Sequence, residues 1–518
     1  PKGGVITATK KEAEPVVGAA KVSKTSTEFD SSRIGTALQK GKGVVTTAEN
    51  NVSIDNVGSE ELSKQMAMMT HFDKERIDKG KIKGRNVKFP TWMTKIKNPQ
   101  RRSEALIKQF KDNLIALHNA FPKEYRARAT QWYDGARKIA DEAAARTGLT
   151  PEQVAGVMAS LSPLKDWFQN VQMGLNLVDV AVNDVDTPFS SKDNKFGLET
   201  VLNQSSSASV KKQRQKLFKL LEGKTIRQLF EEGTEASQEL AAWATRIIST
   251  EKHGYFHDVL SPEGGSLGIR RNKNGTPKKM VWQSLPFIRK SLSIVFDGSL
   301  ENISEQLGKK HKIRNFYNNI IAPNTPYGDA TIDTHAVNAT TLFPMGGSGY
   351  QADLNFGGAG VAGGGNIGTY WLHLEAYKQA AREVGIQPRQ MQSITWEAVR
   401  MLFPDSSKRV DSFIDKYENI WKKSKDAEST RQKILEEGIE PPEWATYGPR
   451  PLSSTERSAA GLRENARPKV VTEGGVRPDD GRGPGSTVGA ARQETTDPNL
   501  PIIAEAVSNL ETAAKKLG

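Results

Sequence analysis

With 518 residues, 36% of them apolar, 45 glycines and 25 prolines, the chain can build a large domain, but not every part of it can bury a core. The formal net charge of +13 favours nucleic acid or another polyanion as partner. The lack of cysteine excludes disulfides, a thiol nucleophile, thiolate zinc sites and cysteine-ligated iron–sulfur clusters, and no apolar run reaches the roughly 18 residues of a membrane span.

Residues 1–75 mix Lys, Glu, Thr, Ser, Gly and Ala without a sustained period, which predicts a flexible N-terminal arm, or a segment that folds only against a neighbouring subunit. A helical core is expected over 76–435. It opens on the basic stretch Lys79 to Lys88, either a phosphate contact or a solvated linker. Leu106, Ile107, Phe110, Leu114, Ile115 and Leu117 then recur at helical core spacing. A second helix is expected over about 124–146, ended by Gly148. Thr150-Pro151-Glu152-Gln153 starts a third, with Thr150 as cap and Gln153 reaching back. The small residues from Val154 to Ala159 suit a buried helix with close neighbours. This helix breaks at Ser160-Leu161-Ser162-Pro163, and Trp167 and Asn170 follow. The break reads either as a core tryptophan after a helix stop or as a cleft wall, with Trp167 giving a flat face and Asn170 amide hydrogen bonds.

Glycine-rich insertions are expected at 251–284, with a turn at Asn274-Gly275, and at 345–368. The second insertion lacks the Gly-Lys-Ser/Thr of a nucleotide-binding loop. Tyr370 to Val384 is a strong helix, and the segment from Gln390 to Phe403 reads as the last core helix. A Pro/Gly-rich linker is expected over 436–499. An apolar stripe from Ile502 to Leu517 then marks an amphipathic helix over 500–518 that would dock on a surface.

The most informative stretch is 291–340. There Gly308, the cations Lys309, Lys310, Lys312 and Arg314, and the aromatic helix through Tyr317 precede Ile332-Asp333-Thr334-His335. This order resembles the helix–hairpin–helix DNA glycosylases of the endonuclease III and 8-oxoguanine glycosylase type. In these a glycine hairpin leads to a helix bearing a lysine, and an Asp-Thr-His-like segment follows. Gly308 stands four residues before Lys312, as the first hairpin glycine would, but Lys310 replaces the second glycine and Gln306-Leu307 the usual Leu-Pro. The pattern is also similar to that of uncharacterised phage proteins.

The resemblance implies an all-α, helix–hairpin–helix glycosylase-like core. It also implies Lys312 as nucleophile and Asp333 as the carboxylate that steadies positive charge on a sugar. Around these two, Gly308, Lys309, Lys310 and Arg314 would hold the phosphate backbone, while Trp167, Asn170, Tyr317 and His335 would complete the substrate site. A lysine amine can attack an anomeric carbon and form a Schiff base once the base has left. The residues equally fit a solvated lysine face with Asp333 as a helix cap and His335 bonded to backbone.

Two functions therefore stay open. One is a double-stranded-DNA-binding protein with base-excision or abasic-site lyase chemistry in a bacterial host's cytoplasm. The other is a non-enzymatic bacteriophage virion or assembly protein, its terminal arms joining copies of itself or other virion proteins. Neither reading calls for a metal or cofactor.

Overall fold

A capped, amphipathic helix opens the core. Asn98 accepts from the amide of Arg101, and α1 (Pro99–Ala120) buries Leu106, Ile107, Phe110, Leu114 and Leu117. A computed structural model of the chain describes residues 43–45, 96, 98–205, 207–308, 311–325, 329–345, 370–448 and 452–459. Outside these residues lie the expected arm apart from 43–45, the basic stretch at 79–88, Lys309 and Lys310. The glycine-rich insertion after Met345, the linker after 459 and the helix at 500–518 lie outside them as well.

The helices continue as α2 (Lys123–Ala129), α3 (Trp132–Thr147), α4 (Pro151–Ser160), α5 (Trp167–Asn183), α6 (Lys195–Asn203), α7 (Ala208–Lys219), α8 (Ile226–Glu231) and α9 (Glu235–His253). The expected helix over 124–146 is two helices. The Thr130 hydroxyl donates to the Ala127 carbonyl at 2.7 Å, and a side chain that bonds its own backbone competes with the helix at that point. Around Thr150 the expectation holds: its hydroxyl accepts from the Gln153 amide while the Gln153 side chain accepts from the Thr150 amide. α4 is buried along its whole length, and Gly156 lets it lie against Ile294.

An antiparallel hairpin follows, β1 (Asp258–Leu260) with β2 (Ser266–Ile269), and after it an isolated bridge joins Arg271 to Pro277 across the Asn274-Gly275 turn. The chain returns to helix with α10 (Leu285–Phe296), α11 (Leu300–Leu307), α12 (His311–Ile321), α13 (Thr334–Thr341), α14 (Tyr370–Val384) and α15 (Pro388–Leu402). Apart from the hairpin the described residues are helices and their connections, so the fold class is all-α. No helix among them is long and apolar enough to cross a membrane.

The packing has two helical groups. α4 lies against α3, α5, α10 and α12, while α1 packs on α13, α14 and α15. One continuous apolar cluster runs through both, from Val45 to Trp444.

α15 is not the last core helix, because α16 (Asp411–Lys423) and α17 (Ala427–Leu435) follow, and Tyr417 meets Phe403 edge-on at 4.9 Å. The chain also stays on the core past 435. Trp444, on the short α18 (Glu443–Thr446), is buried beneath Arg128 and edge-on to Tyr125, so one aromatic side chain anchors a proline-rich segment that has no periodicity of its own. The last described element is α19 (Ser454–Ala459).

Residues 43–45 of the expected arm are seated on this core. The Asn318 side chain accepts from the Val45 amide at 2.9 Å and donates to the Val45 carbonyl at 2.8 Å, and the Tyr317 hydroxyl donates to the Gly43 carbonyl at 2.6 Å. Gly43 has φ +83, and a Cβ there would stand 2.6 Å from Glu152 Oε1, so this clasp needs glycine.

Candidate functional site

The site is built from two places where the chain enters a helix. The first is the turn after α4. Pro163 stops the helix, and the Gln283 amide group donates to the carbonyls of Leu161 and Pro163 from below. Leu164 is held at φ 57, in the left-handed region that a leucine rarely occupies, with its side chain 80% exposed. The chain then presents Lys165 inward and starts α5 at Asp166, whose carboxylate accepts from the Gln169 amide at 3.1 Å. Arg270 meets the same carboxylate at 3.2 Å and binds Glu443 through two further hydrogen bonds. Burial alone would raise the Asp166 carboxyl, but Arg270, His257 and the bonds from Gln169 bring it down to about 2.

The second place is α12 and the segment after it. Its run of asparagines is structural. Asn315 donates to the Ala330 carbonyl, Asn319 to the carbonyl of Asp329 and the hydroxyl of Thr331, and Asn318 clasps Val45. Tied in this way, the segment brings Thr331 and Asp333 over α12 before α13 begins. Asp333 caps α13 by accepting from the Ala336 amide at 2.8 Å, and its other oxygen accepts from the Trp396 indole at 3.2 Å.

Between these two places lies a cleft with about 640 Å³ of empty space, its open mouth included. Its wall is aromatic. Trp132 stands edge-on to Trp167 (6.2 Å) and to Trp396 (6.1 Å), Phe316 edge-on to Trp167 (5.9 Å) and to Tyr133 (6.4 Å), and all five rings line the space. The polar lining comprises Lys165, Lys312, Asp333, Asn170, Gln392, Ser162, Ser393 and Thr331.

Burial pushes the Tyr133 phenol up, so it stays protonated and donates to Gln392 Oε1 at 2.9 Å. Asn170 donates to the Met158 carbonyl at 2.8 Å, which leaves its Oδ1, like the Trp167 indole N–H, buried without a hydrogen-bond partner.

Four of the residues picked out by the sequence, Trp167, Asn170, Lys312 and Asp333, meet in this one cleft. Others do not act as the resemblance implied. Arg314 is buried and donates to the carbonyls of Gly308 and Ser304, so it closes the end of α11 and cannot hold a phosphate. Tyr317 is fully buried with its hydroxyl on Gly43, so its ring stacks on no extruded base. Gly308 ends α11 at φ +67, but it does not line the cleft.

His335 stands behind the cleft, edge-on to Trp396 at 5.8 Å, with Lys408 Nζ 3.2 Å from its Nδ1. Burial and the Lys408 charge push its imidazole down to about 4, so it is neutral at pH 7. Arg270 and Arg271 of the glycine-rich insertion are paired as well, Arg270 with Asp166 and Glu443, and Arg271 with Glu456. Among the described residues there is no group of three or more His, Asp or Glu side chains placed to hold a metal ion.

Sequence reasoning passed over Lys165, Trp132, Phe316, Trp396 and Gln392. The aromatics carried only a core signal, and Lys165 stood after a Ser-Pro break, where a lysine reads as solvated. A family described as of unknown function, DUF7178, matches residues 96–255 and 287–402, together more than half of the chain and including every residue that lines the cleft. No curated protein and no solved structure matches the chain.

Proposed function

We propose that this chain, which belongs to the DUF7178 family of unknown function, binds double-stranded DNA and receives an extruded nucleotide in the aromatic cleft for base excision or abasic-site cleavage. One observation carries the reading: Trp167, Asn170, Lys312 and Asp333 come from separate elements yet line a single cleft walled by five aromatic rings. A nucleobase taken out of its stack needs flat apolar faces and a few polar groups along its edge. Asn170, Gln392, Ser162, Ser393 and Thr331 supply the polar groups of the lining. Two amines and one carboxylate accompany them, the set needed for attack at a sugar carbon and for steadying the positive charge that develops there. The net charge of +13 supports a polyanion as partner.

The test is electrophoretic and chemical. The full chain is expected to shift duplex DNA at low salt, with affinity falling steeply as salt rises. It should also release a base from a uracil or 8-oxoguanine duplex, or form a borohydride-reducible adduct with an abasic duplex. Trp167→Ala should weaken release or adduct formation more than the shift. Absence of any shift at low salt, of base release and of an adduct would overturn the reading and favour a structural role in a phage particle.

A further inference from the structure

We propose that Lys165 is the carbonyl-reactive amine of the cleft, forming an imine with an aldehyde carbon held against the aromatic wall. That this aldehyde is the ring-opened sugar of an abasic nucleotide rests on the DNA reading above.

The geometry singles this lysine out. It lines the cleft together with Trp167 and Asn170, and it is delivered there by a braced turn. The residue before it is held in the left-handed region, with a leucine left 80% exposed, and strain of this kind persists where the surrounding structure imposes it. Its Nζ donates to one neutral group, the Trp282 carbonyl at 3.3 Å, and no carboxylate of the described residues forms an ion pair with it. The nearest acid in sequence, Asp166, is engaged by Arg270 and by Gln169. The charged groups around the amine are Asp166 on α5, Arg246 on α9, and Lys312 and Asp333 across the cleft.

Burial, with help from Arg246 and against the pull of Asp166, brings the Lys165 ammonium down to about 8, so a useful fraction is neutral near pH 7. Lys408 makes the contrast. It too is buried, but it keeps an acid, Asp405, at 3.1 Å. On this assignment Lys312, half-buried on the first turn of α12, serves the phosphate rather than the carbonyl.

In the step, the neutral amine adds its lone pair to the aldehyde carbon, forming an N–C bond and a carbinolamine. Both nitrogen-bound protons leave with the carbonyl oxygen as water, and the C=N bond remains. Water reverses the step, and borohydride delivers hydride to the imine carbon to make a stable secondary amine.

Two measurements on the full chain test this. The first uses ¹³C-formaldehyde with cyanoborohydride at pH 7, read by peptide mapping and by NMR titration of the methylated lysines. Lys165 is expected to react ahead of the exposed lysines and to titrate near 8. The second is borohydride trapping on an abasic duplex. Lys165→Ala and Lys165→Arg should each lower adduct yield on the order of a hundredfold or more.

Late methylation of Lys165 with a titration near that of exposed lysines would overturn the proposal. So would trapping that survives both Lys165 variants and is lost in Lys312→Ala. Early methylation with no trapping on any duplex would leave Lys165 as a reactive amine and remove DNA as its substrate. If the variants fail to fold, the methylation of the wild-type chain still decides.

Discussion

The two walls of the cleft use the same device and end with opposite character. Each is a helix entered through an aspartate, Asp166 at α5 and Asp333 at α13, and each aspartate accepts from the backbone amide three residues on. Against Asp166 lies the Arg270 guanidinium, itself over the Phe168 ring at 5.0 Å. Against Asp333 lies the indole N–H of Trp396, with the Lys408 charge further off, and no lysine or arginine of the described residues forms an ion pair with it. The first wall therefore presents the Lys165 amine beside an acid whose charge is already matched, and the second presents a carboxylate. A helix cap reads identically in both sequences. The partner of the carboxylate, supplied from elsewhere in the chain, decides whether the cap is structure alone or structure and chemistry.

Removing the two caps should separate them most strongly. Asp166→Ala loses a cap and leaves the buried Arg270 with Glu443 alone, an expected cost of about 3 kcal/mol in denaturant unfolding. Asp333→Ala loses the cap without stranding a guanidinium, and about 1 kcal/mol is expected. Equal losses would erase the distinction between the walls.

A smaller effect comes with acid. The Asp166 carboxyl is held near 2, below the ordinary value of about 3.9, so its stabilisation is complete above about pH 4 and is lost as pH falls toward 2. The amount is about 2 kcal/mol on the linkage scale, and Asp166→Asn should flatten the stability curve across that window.

The smallest expected change in stability sharpens the comparison most. Asp333→Asn keeps a capping oxygen and should shift unfolding by no more than about 0.5 kcal/mol. Base release or adduct formation should nevertheless fall at least about tenfold, because the carboxylate charge is gone while the fold remains. A stable Asp333→Asn chain with full activity would assign Asp333 to capping alone.

Much of the helical framework was legible because it is local. The Thr150–Gln153 cap, the helix from Tyr370 to Val384 and the helix through Lys312 follow from spacing and capping chemistry within a few residues. Asp333, Trp167 and Asn170 were legible as a candidate set, and they do share a cleft. Arg314 and Tyr317 were misplaced for a common reason. α12 is wrapped by other segments on more than one side, and which of its faces is open depends on the Val45 clasp and the 329–333 segment, neither of which has a signature within α12 itself. Lys165 was missed because its environment is assembled from afar, by Trp282, Gln283 and Arg246, while its own neighbours in sequence spell only a turn. Trp444 was missed for the same reason, as an anchor without a period.

The clasp at Val45 bears on local opening. Its two hydrogen bonds to Asn318 join residues 273 apart in the chain, and they require α12 to be in place before there is anything to grasp. Closing so long a loop costs chain entropy that these contacts must offset. Local opening at residues 43–45 is therefore expected to precede global unfolding, measured by amide hydrogen exchange at Val45. Because α12 also carries Lys312 and Phe316, every release of that segment frees one face of the helix whose other residues line the cleft.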